Sequence, residues 1–370
     1  MNNIYLEVLF YFYVLCVITQ SFYAFYFYLR LALFKESLIE NFNEPVSIII
    51  CAKDELKNLS KNLESFLNQD YKKYEIVVVD DQSQDGTKFL LKDLKKKYSH
   101  LKIVLIEEHV NSRIGKKFAL TMGIKSAKYD YVLLSDADCI PASKYWISNM
   151  TSLFHKKDIV LGISPFKKRK GLLNRLIRFD EFITMLNYLS FSLSNITYMG
   201  VGRNLGYKKS LFFQVKGFAS HIHISSGDDD LFIQEVANRD NVAICINKDS
   251  DVITDSKENL NDWFYQRKRH RSTFKHYKSK HKFLLSLNPI SNLFFWILSI
   301  LLFILHKDYI LITLLFSFKL LLYYFIFYKS MKKLRVLDLL LIYPIMEFFH
   351  LFLQLFFVIL KPTFKNNSWR

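Results

Sequence analysis

Residues 74–87 read Tyr-Glu-Ile-Val-Val-Val-Asp-Asp-Gln-Ser-Gln-Asp-Gly-Thr. A β-branched run that ends on two acids and passes through a Gly-containing turn into a Thr predicts a short buried strand handing over to a helix. Upstream, residues 45–51 (PVSIIIC) form a second such run, and a helix is predicted between them over residues 56–67. Downstream the alternation continues with a helix at 87–98, a strand at 102–106, a helix at 117–127 and a strand at 130–135. Strands alternating with helices imply an α/β unit built on a mostly parallel sheet with helices on both faces. Ligands of such sheets bind beyond the carboxyl ends of the strands, which is where Asp80 and Asp81 stand.

This pattern fills residues 40–285, and both flanks are lipid-like. Residues 8–29 are almost wholly apolar, and about 20 such residues at a rise of about 1.5 Å cross a bilayer core of about 30 Å. No Lys or Arg precedes Arg30, so a cleaved signal peptide, which opens on a basic segment, is not expected. Arg30 and Lys35 follow the apolar run, which places the N-terminus outside and the next domain in the cytoplasm. Three more apolar stretches cover residues 289–305, 309–328 and 337–360. The loop KSMKKLR (329–335) is richer in cations than His306-Lys307-Asp308 and belongs on the inner side as well. The expected organisation is an N-terminal transmembrane anchor (1–35), a cytosolic domain (40–285) and a C-terminal transmembrane region (286–370) in a multi-pass protein of the inner (cytoplasmic) membrane. Crossing by all three late stretches would leave Lys361, Lys365 and Arg370 outside. That runs against the same rule, so residues 337–360 are read as crossing, re-entrant or interfacial.

Composition excludes several other classes. The chain has 370 residues, 51% of them hydrophobic, with 51 Lys+Arg against 34 Asp+Glu for a net charge of +17. Disordered and low-complexity proteins lack this much apolar surface. No nucleic-acid-binding motif accompanies the positive charge, so the expected partners are anionic membrane lipids rather than nucleic acid. The four cysteines show no paired spacing, and neither a disulfide framework nor a zinc cluster is expected.

Four motifs carry chemistry. Asp80 and Asp81 at a strand end can accept hydrogen bonds from a nucleobase or ribose, although Asp80-Asp81-Gln82-Ser83-Gln84-Asp85 also fits a turn and helix cap. Asp136-Ala137-Asp138 ends the hydrophobic strand VLLS and precedes a Pro-started helix; alternate carboxylates there can share one divalent cation, Mg2+ or Mn2+. Between these lies Arg113-Ile114-Gly115-Lys116-Lys117, a Gly-Lys helix start that offers N–H groups and a cation to phosphate without the spacing of a P-loop. Asp228-Asp229-Asp230 follow Gly227; three adjacent carboxylates repel one another, which raises at least one pKa and suits a proton acceptor, while an acidic helix start is the plainer alternative. The basic stretch 263–271 (WFYQRKRHR) stands just before the membrane.

In this order the motifs resemble glycosyltransferase family 2, the membrane-bound inverting enzymes with a GT-A fold, over residues 44–275. The resemblance implies a nucleotide-sugar donor, with Asp80 and Asp81 at the base, Lys116 at the phosphates, and Asp136 and Asp138 on Mg2+ or Mn2+. It maps the catalytic base to Asp229, with Asp228 as the alternative register. Gln266-Arg267-Lys268-Arg269-His270 is similar to the family's Gln-x-x-Arg-Trp motif, so Gln266 and Arg269 are assigned to donor binding. His270 stands in place of Trp, a poorer stacking platform for an acceptor sugar. The expectation is therefore transfer of one sugar to a lipid-linked or glycan acceptor in cell-envelope glycan synthesis. A processive polysaccharide synthase is the alternative among enzymes, and a catalytically silent membrane scaffold the alternative of another class.

Beyond the resemblance, residues 171–194 place Leu172, Leu173, Leu176, Ile177, Ile183 and Leu186 near one helical face beside Arg175 and Arg178. They predict an interfacial helix, with a core helix as the alternative. Lys319 and Glu347 each lie near the middle of an apolar stretch, and the cost of an isolated intramembrane charge predicts that they pair. His221 and His223 are expected to be loop residues, Cys139 a packing residue, and Arg203-Asn204 a possible contact for donor or acceptor.

Overall fold

A computed structural model describes residues 2–36, 41–107, 115–305 and 308–359. Arg113 and Ile114, the loop residues His306 and Lys307, and the tail carrying Lys361, Lys365 and Arg370 lie outside the described residues. In chain order the elements are α1 (Asn2–Phe22), a π-helical turn (Tyr23–Tyr28), α2 (Leu29–Leu33), β1 (Val46–Ala52), α3 (Leu56–Leu67), β2 (Tyr74–Asp81), α4 (Thr87–Lys97), β3 (Leu101–Ile106), α5 (Gly115–Ser126), β4 (Tyr131–Asp136), β5 (Cys139–Pro141), α6 (Trp146–Thr151) and β6 (Ile159–Leu161). They continue with α7 (Leu172–Leu193), β7 (Leu205–Lys208), α8 (Lys209–Gln214), α9 (Asp230–Val236), β8 (Val242–Ile244), β9 (Val252–Thr254), α10 (Leu260–Arg271), α11 (Ser279–Ile304), α12 (Tyr309–Lys333) and α13 (Tyr343–Ile359).

Seven strands form one sheet in the order β3-β2-β1-β4-β7-β6-β8. The four strands expected from sequence make its parallel half, and β7 pairs antiparallel with both β4 and β6. Register sets the site: Ala52 of β1 lies opposite Asp80, and Cys51 opposite Asp136, so both acidic strand ends open at the same edge. Alternating side chains divide the core in two. Ile48, Ile50, Ile76 and Val78 meet α3, α4 and α6 through Leu63, Leu91 and Trp146, while Ile49, Val77, Val79 and Leu134 face α5 and α7. Gly123 lets α5 lie close to the sheet, because a Cβ there would stand 2.6 Å from Ile49 Cγ2.

The second core layer continues without a break into the membrane-like helices, taking in Tyr23, Phe27, Tyr323, Phe327 and Met331. Helix α7 is the reason. α7 buries Ile177, Phe179, Phe182, Met185, Leu186 and Leu189 in protein, while of the face expected to be interfacial Leu172 is exposed and Leu173, Leu176 and Ile183 are half-buried. Phe182 packs edge-on against Phe327, and Phe191 stacks on Phe27. A difference from expectation follows Asp138, where the Pro-started helix is replaced by β5, paired antiparallel with β9. Proline is tolerated there because a two-stranded ribbon leaves one edge without ladder bonds.

Among the described residues, four helices are long and apolar enough to cross a membrane: Ile4–Leu33, Ser279–Ile304, Tyr309–Lys333 and Leu337–Phe357. The second begins before Pro289 rather than at it, and Pro289 lies inside the helix. Buried polar groups tie the bundle together, as hydrocarbon surroundings demand. Gln20 Nε2 donates to Ser291 Oγ at 2.6 Å and to Asn288 O at 2.9 Å, and Tyr323 O–H donates to Gln20 Oε1 at 2.8 Å. The expected intramembrane pair is present: Lys319 Nζ donates to Glu347 Oε2 at 2.9 Å, and Asn292 Nδ2 to Glu347 Oε1 at 3.1 Å.

Candidate active site

A cleft of about 990 Å3 opens at the carboxyl edge of the sheet and runs down to the membrane-like helices. Its lining includes Lys116, Asp136, Asp138, Asp228, Asp229, Gln266, Arg269 and His270. These residues come from four separate stretches of sequence, and the fold brings them to one concave surface.

Lys116, in the first turn of α5, places its ammonium 2.8 Å from Asp136 Oδ1 and 3.4 Å from Asp228 Oδ2. Burial works against the ammonium's charge, but the two carboxylates outweigh it and hold the Lys116 pKa well above the ordinary range. The neighbouring Lys117 is structural. Its Nζ donates to His221 O and Ile224 O at 2.7 and 3.0 Å and braces the loop that leads to the acids. His221 is buried there against Ser220 and Glu235, which fits a loop residue rather than a metal ligand.

The three adjacent acids take three different states. Asp228 is kept below its ordinary range: burial would raise it, but Lys116 prevails. Asp230 is structural, its Oδ2 accepting from Thr273 Oγ1 at 2.5 Å and Tyr277 O–H at 2.7 Å. Asp229 caps α9, with Oδ1 accepting from Asp230 N at 2.8 Å and Oδ2 from Gly202 N at 3.0 Å. Burial first, then the charges of Asp228 and Asp230, push the Asp229 pKa up to about 7. A carboxylate has about four lone-pair directions, so two backbone bonds leave Asp229 able to accept a proton from the cleft.

Asp136 ends β4 half-buried, and Asp138 is exposed in the cleft on the far side of Ala137. Glu55 also lines the cleft, and burial followed by the nearby Asp138 and Asp136 raises its pKa against a lowering bond from Asn58. Oxygen donors of this kind suit Mg2+ or Mn2+. Among the described residues no three His, Cys, Asp or Glu side chains converge as a ready ligand set, so a cation on Asp136 and Asp138 would take further oxygens from a bound diphosphate or water.

Asp80 and Asp81 are buried beside the cleft rather than in its lining. Asp80 Oδ1 accepts from Ser83 N at 3.2 Å. The cap and turn role falls to Asp85, whose two oxygens accept from Leu56 N at 2.8 Å and from Thr87 N at 3.1 Å, tying the starts of α3 and α4 together.

Helix α10 supplies the cationic wall. Arg267 pairs with Asp180 at 2.7 Å, whereas Arg269 and Arg271 have no carboxylate partner among the described residues. His270 faces the open cleft, yet the protein around it and then Arg269, Arg267 and Arg203 hold it well below its ordinary pKa, so it is neutral near pH 7.

Several residues here were not legible as site residues. Asp180 and Glu181 of α7 hold Arg267 and Arg203 at 2.7 Å each, and nothing in their spacing marks them. Arg203 lies 4.9 Å from the Phe166 ring in the cleft, but Asn204 is a buried strut that accepts from Trp146 Nε1 at 3.0 Å and donates to Ile163 O and Ser250 O. Cys139 is buried with its pKa raised by that burial and by Asp138, as a packing residue should be.

Comparison with known proteins agrees with this geometry. Residues 47–215 match the family model described as Glycosyl transferase family 2. Glycosyltransferase AglE of Haloferax volcanii is 30% identical over 187 residues, which is 50% of this chain and 58% of AglE. Poly-beta-1,6-N-acetyl-D-glucosamine synthase of Staphylococcus epidermidis is 33% identical over 120 residues, 31% of this chain and 28% of the synthase. The aligned stretches thus span less than two thirds of either relative. Among solved structures, the mannosyltransferase PcManGT of Pyrobaculum calidifontis, in complex with GDP-Man and Mn2+, superposes with a TM-score of 0.56 at 16% identity over 92% of this chain and 99% of that one, a likeness of fold.

Proposed function

We infer, from the match of residues 47–215 to the Glycosyl transferase family 2 model and a fold like that of PcManGT, a membrane-bound inverting enzyme that moves one sugar from a nucleotide-sugar to a lipid-linked or glycan hydroxyl. The observation that carries this reading is the meeting of Lys116 with Asp136 and Asp228 in one cleft beside Asp229. A cation, a strand-end acid pair and a carboxylate tuned to about 7 are the parts a displacement at the anomeric carbon requires.

Lys116 and Arg269 take the phosphates with Gln266 beside them in the cleft lining, and the nucleoside is assigned to the strand end that carries Asp80 and Asp81, both buried beside the cleft. Asp136 and Asp138 would hold Mg2+ or Mn2+, which would supply Lewis-acid stabilisation to a departing nucleoside diphosphate. Asp229 removes the acceptor proton as the new C–O bond forms and the sugar–phosphate bond breaks on the opposite face, so configuration inverts. Asp228 does not serve as base, because its ion pair with Lys116 keeps it a weak proton acceptor.

The catalytic unit is residues 40–285, on the cytoplasmic side of the inner membrane. The cleft's continuity with Leu284, Pro289 and Leu293 of α11 supports an acceptor borne on lipid. His270, neutral and smaller than an indole, supports single transfer over a processive synthase. The test is a thermal-shift panel of nucleotide sugars with Mn2+ on the detergent-purified protein. A ligand at about 100 times its Kd adds about 2.7 kcal/mol, and NMR of the product then reads the anomeric configuration. No shift with any nucleotide sugar would sink the reading in favour of a silent scaffold.

A further inference from the structure

The last apolar segment has the length of a membrane crossing, about 21 residues, but its contacts are not those of one. A crossing helix separates its ends by about 30 Å, one on each side of the bilayer. Here both ends rest on the same cytosolic-side domain. Just after α12, Arg335 binds Ile246 O at 2.8 Å and pairs with Asp251 at 3.2 Å. Asp338 then accepts from Arg178 of α7 at 2.6 and 2.8 Å and pairs with Lys168 at 3.2 Å. At the other end Phe357 lies 5.2 Å from the Phe264 ring of α10, and Arg271 lies 5.4 Å from the Phe357 ring.

Connectivity fixes which side that is. Helix α10 precedes α11 by only a few residues, so Phe264 lies on the side where α11 begins. Helices α11 and α12 cross out and back, and Arg335 and Asp338 are again on that side. Between its two anchored ends the segment reaches into the bundle: Glu347 meets Lys319, and Phe348 meets the Trp296 ring at 5.8 Å. Three residues past Glu347, His350 Nε2 is already 3.0 Å from Asp180 of α7.

We propose that residues 337–359 form a re-entrant segment that enters and leaves on the catalytic side, giving three crossings instead of four. One face of α13 then walls the cleft, since His350, Leu351 and Gln354 line it together with Asp229. The other face presents Leu341, Ile345, Phe349, Phe352 and Phe356, all exposed at spacings of three to four residues, to lipid. The Lys319–Glu347 pair pins the apex of the re-entry. The arrangement also agrees with the sequence after residue 359, whose cations Lys361, Lys365 and Arg370 are expected on the inner side by the charge rule.

The test is single-cysteine labelling with a membrane-impermeant maleimide in intact cells and in inverted membrane vesicles. Lys95→Cys reports the catalytic domain, Tyr309→Cys the start of α12 at the α11–α12 connection, and Ser368→Cys the tail. The four native cysteines are buried, and the unmodified chain sets the blank. The expected result is that Ser368→Cys labels in the same preparation as Lys95→Cys and is protected where Tyr309→Cys labels. Labelling of Ser368→Cys together with Tyr309→Cys overturns the proposal. A reporter domain fused after Arg370, active on one side of the membrane only, gives the same answer without chemistry. Neither readout depends on sugar transfer, so the topology can fail while the enzymatic reading stands.

Discussion

Lys116 Nζ lies 2.8 Å from Asp136 Oδ1, so the first turn of α5 is fastened to the end of β4 across the mouth of the cleft. The same ammonium reaches Asp228 at 3.4 Å. One cation therefore holds together two acids from motifs far apart in the chain.

Lys116→Met is expected to lower kcat/KM by about 10²-fold, the usual cost of losing one stabilising donor at a developing charge. Without Lys116, Asp228 and Asp229 both lose a charge that lowers their pKa, so the acid limb of the pH profile should move to higher pH. Steady-state kinetics over about pH 5 to 9, around the usual range of catalytic pKa values, with saturating acceptor check both effects.

Asp229→Asn is expected to reduce kcat by about 10²- to 10⁴-fold, the range for loss of a general base. The base must be ionised, and its pKa is about 7, so wild-type kcat should climb with pH below that value and level off above it. Stability moves the other way. The folded-state pKa exceeds the unfolded value of about 3.9, so the folded form binds more protons in between, and stability falls as pH rises from about 4 through about 7. Thermal unfolding against pH should show that decline in the wild type and a flatter curve in Asp229→Asn.

Chelation of divalent cations is expected to abolish transfer, with recovery on adding Mn2+ or Mg2+. Asp138→Ala should give the same loss without recovery and with unchanged membrane insertion, since Asp138 is exposed and its carboxylate accepts a weak bond from Cys139 Sγ at 3.3 Å. Radiolabelled sugar transfer with and without chelator makes the measurement.

Lys319→Met leaves Glu347 buried with Asn292 still donating to it. Breaking one half of a buried ion pair costs about 3–5 kcal/mol. The double variant Lys319→Met with Glu347→Gln should recover most of the loss, because no uncompensated charge remains. Unfolding in detergent followed by circular dichroism reads the cycle.

Much of the fold is legible in the sequence for local reasons. The parallel strands stand out because a strand buried on both faces is a nearly unbroken apolar run, as in Ile48-Ile49-Ile50 and Val77-Val78-Val79. Asp136 and Asp138 can be read because a strand end projects them at fixed spacing. The Lys319–Glu347 pair can be read because hydrocarbon makes a lone charge so costly that its partner must exist. Helix α7 is only partly legible because amphipathic periodicity reports an apolar face without saying what covers it. That face meets the bundle through Phe182 and Phe191 and shares one buried core with Ile49 and Leu134 of the sheet.

The chain's own order of residues determined an α/β domain between lipid-like flanks, and which side chains carry charge where strands end. Tertiary structure decided how that charge is used. Three consecutive aspartates share one composition and one neighbourhood in sequence, yet Thr273 and Tyr277 claim Asp230, Lys116 claims Asp228, and Asp229 is left on backbone N–H groups with its pKa near neutrality. Their partners come from other elements distant in sequence, and the energy of a carboxylate depends on what stands within a few ångströms of it. No local pattern encodes that distance.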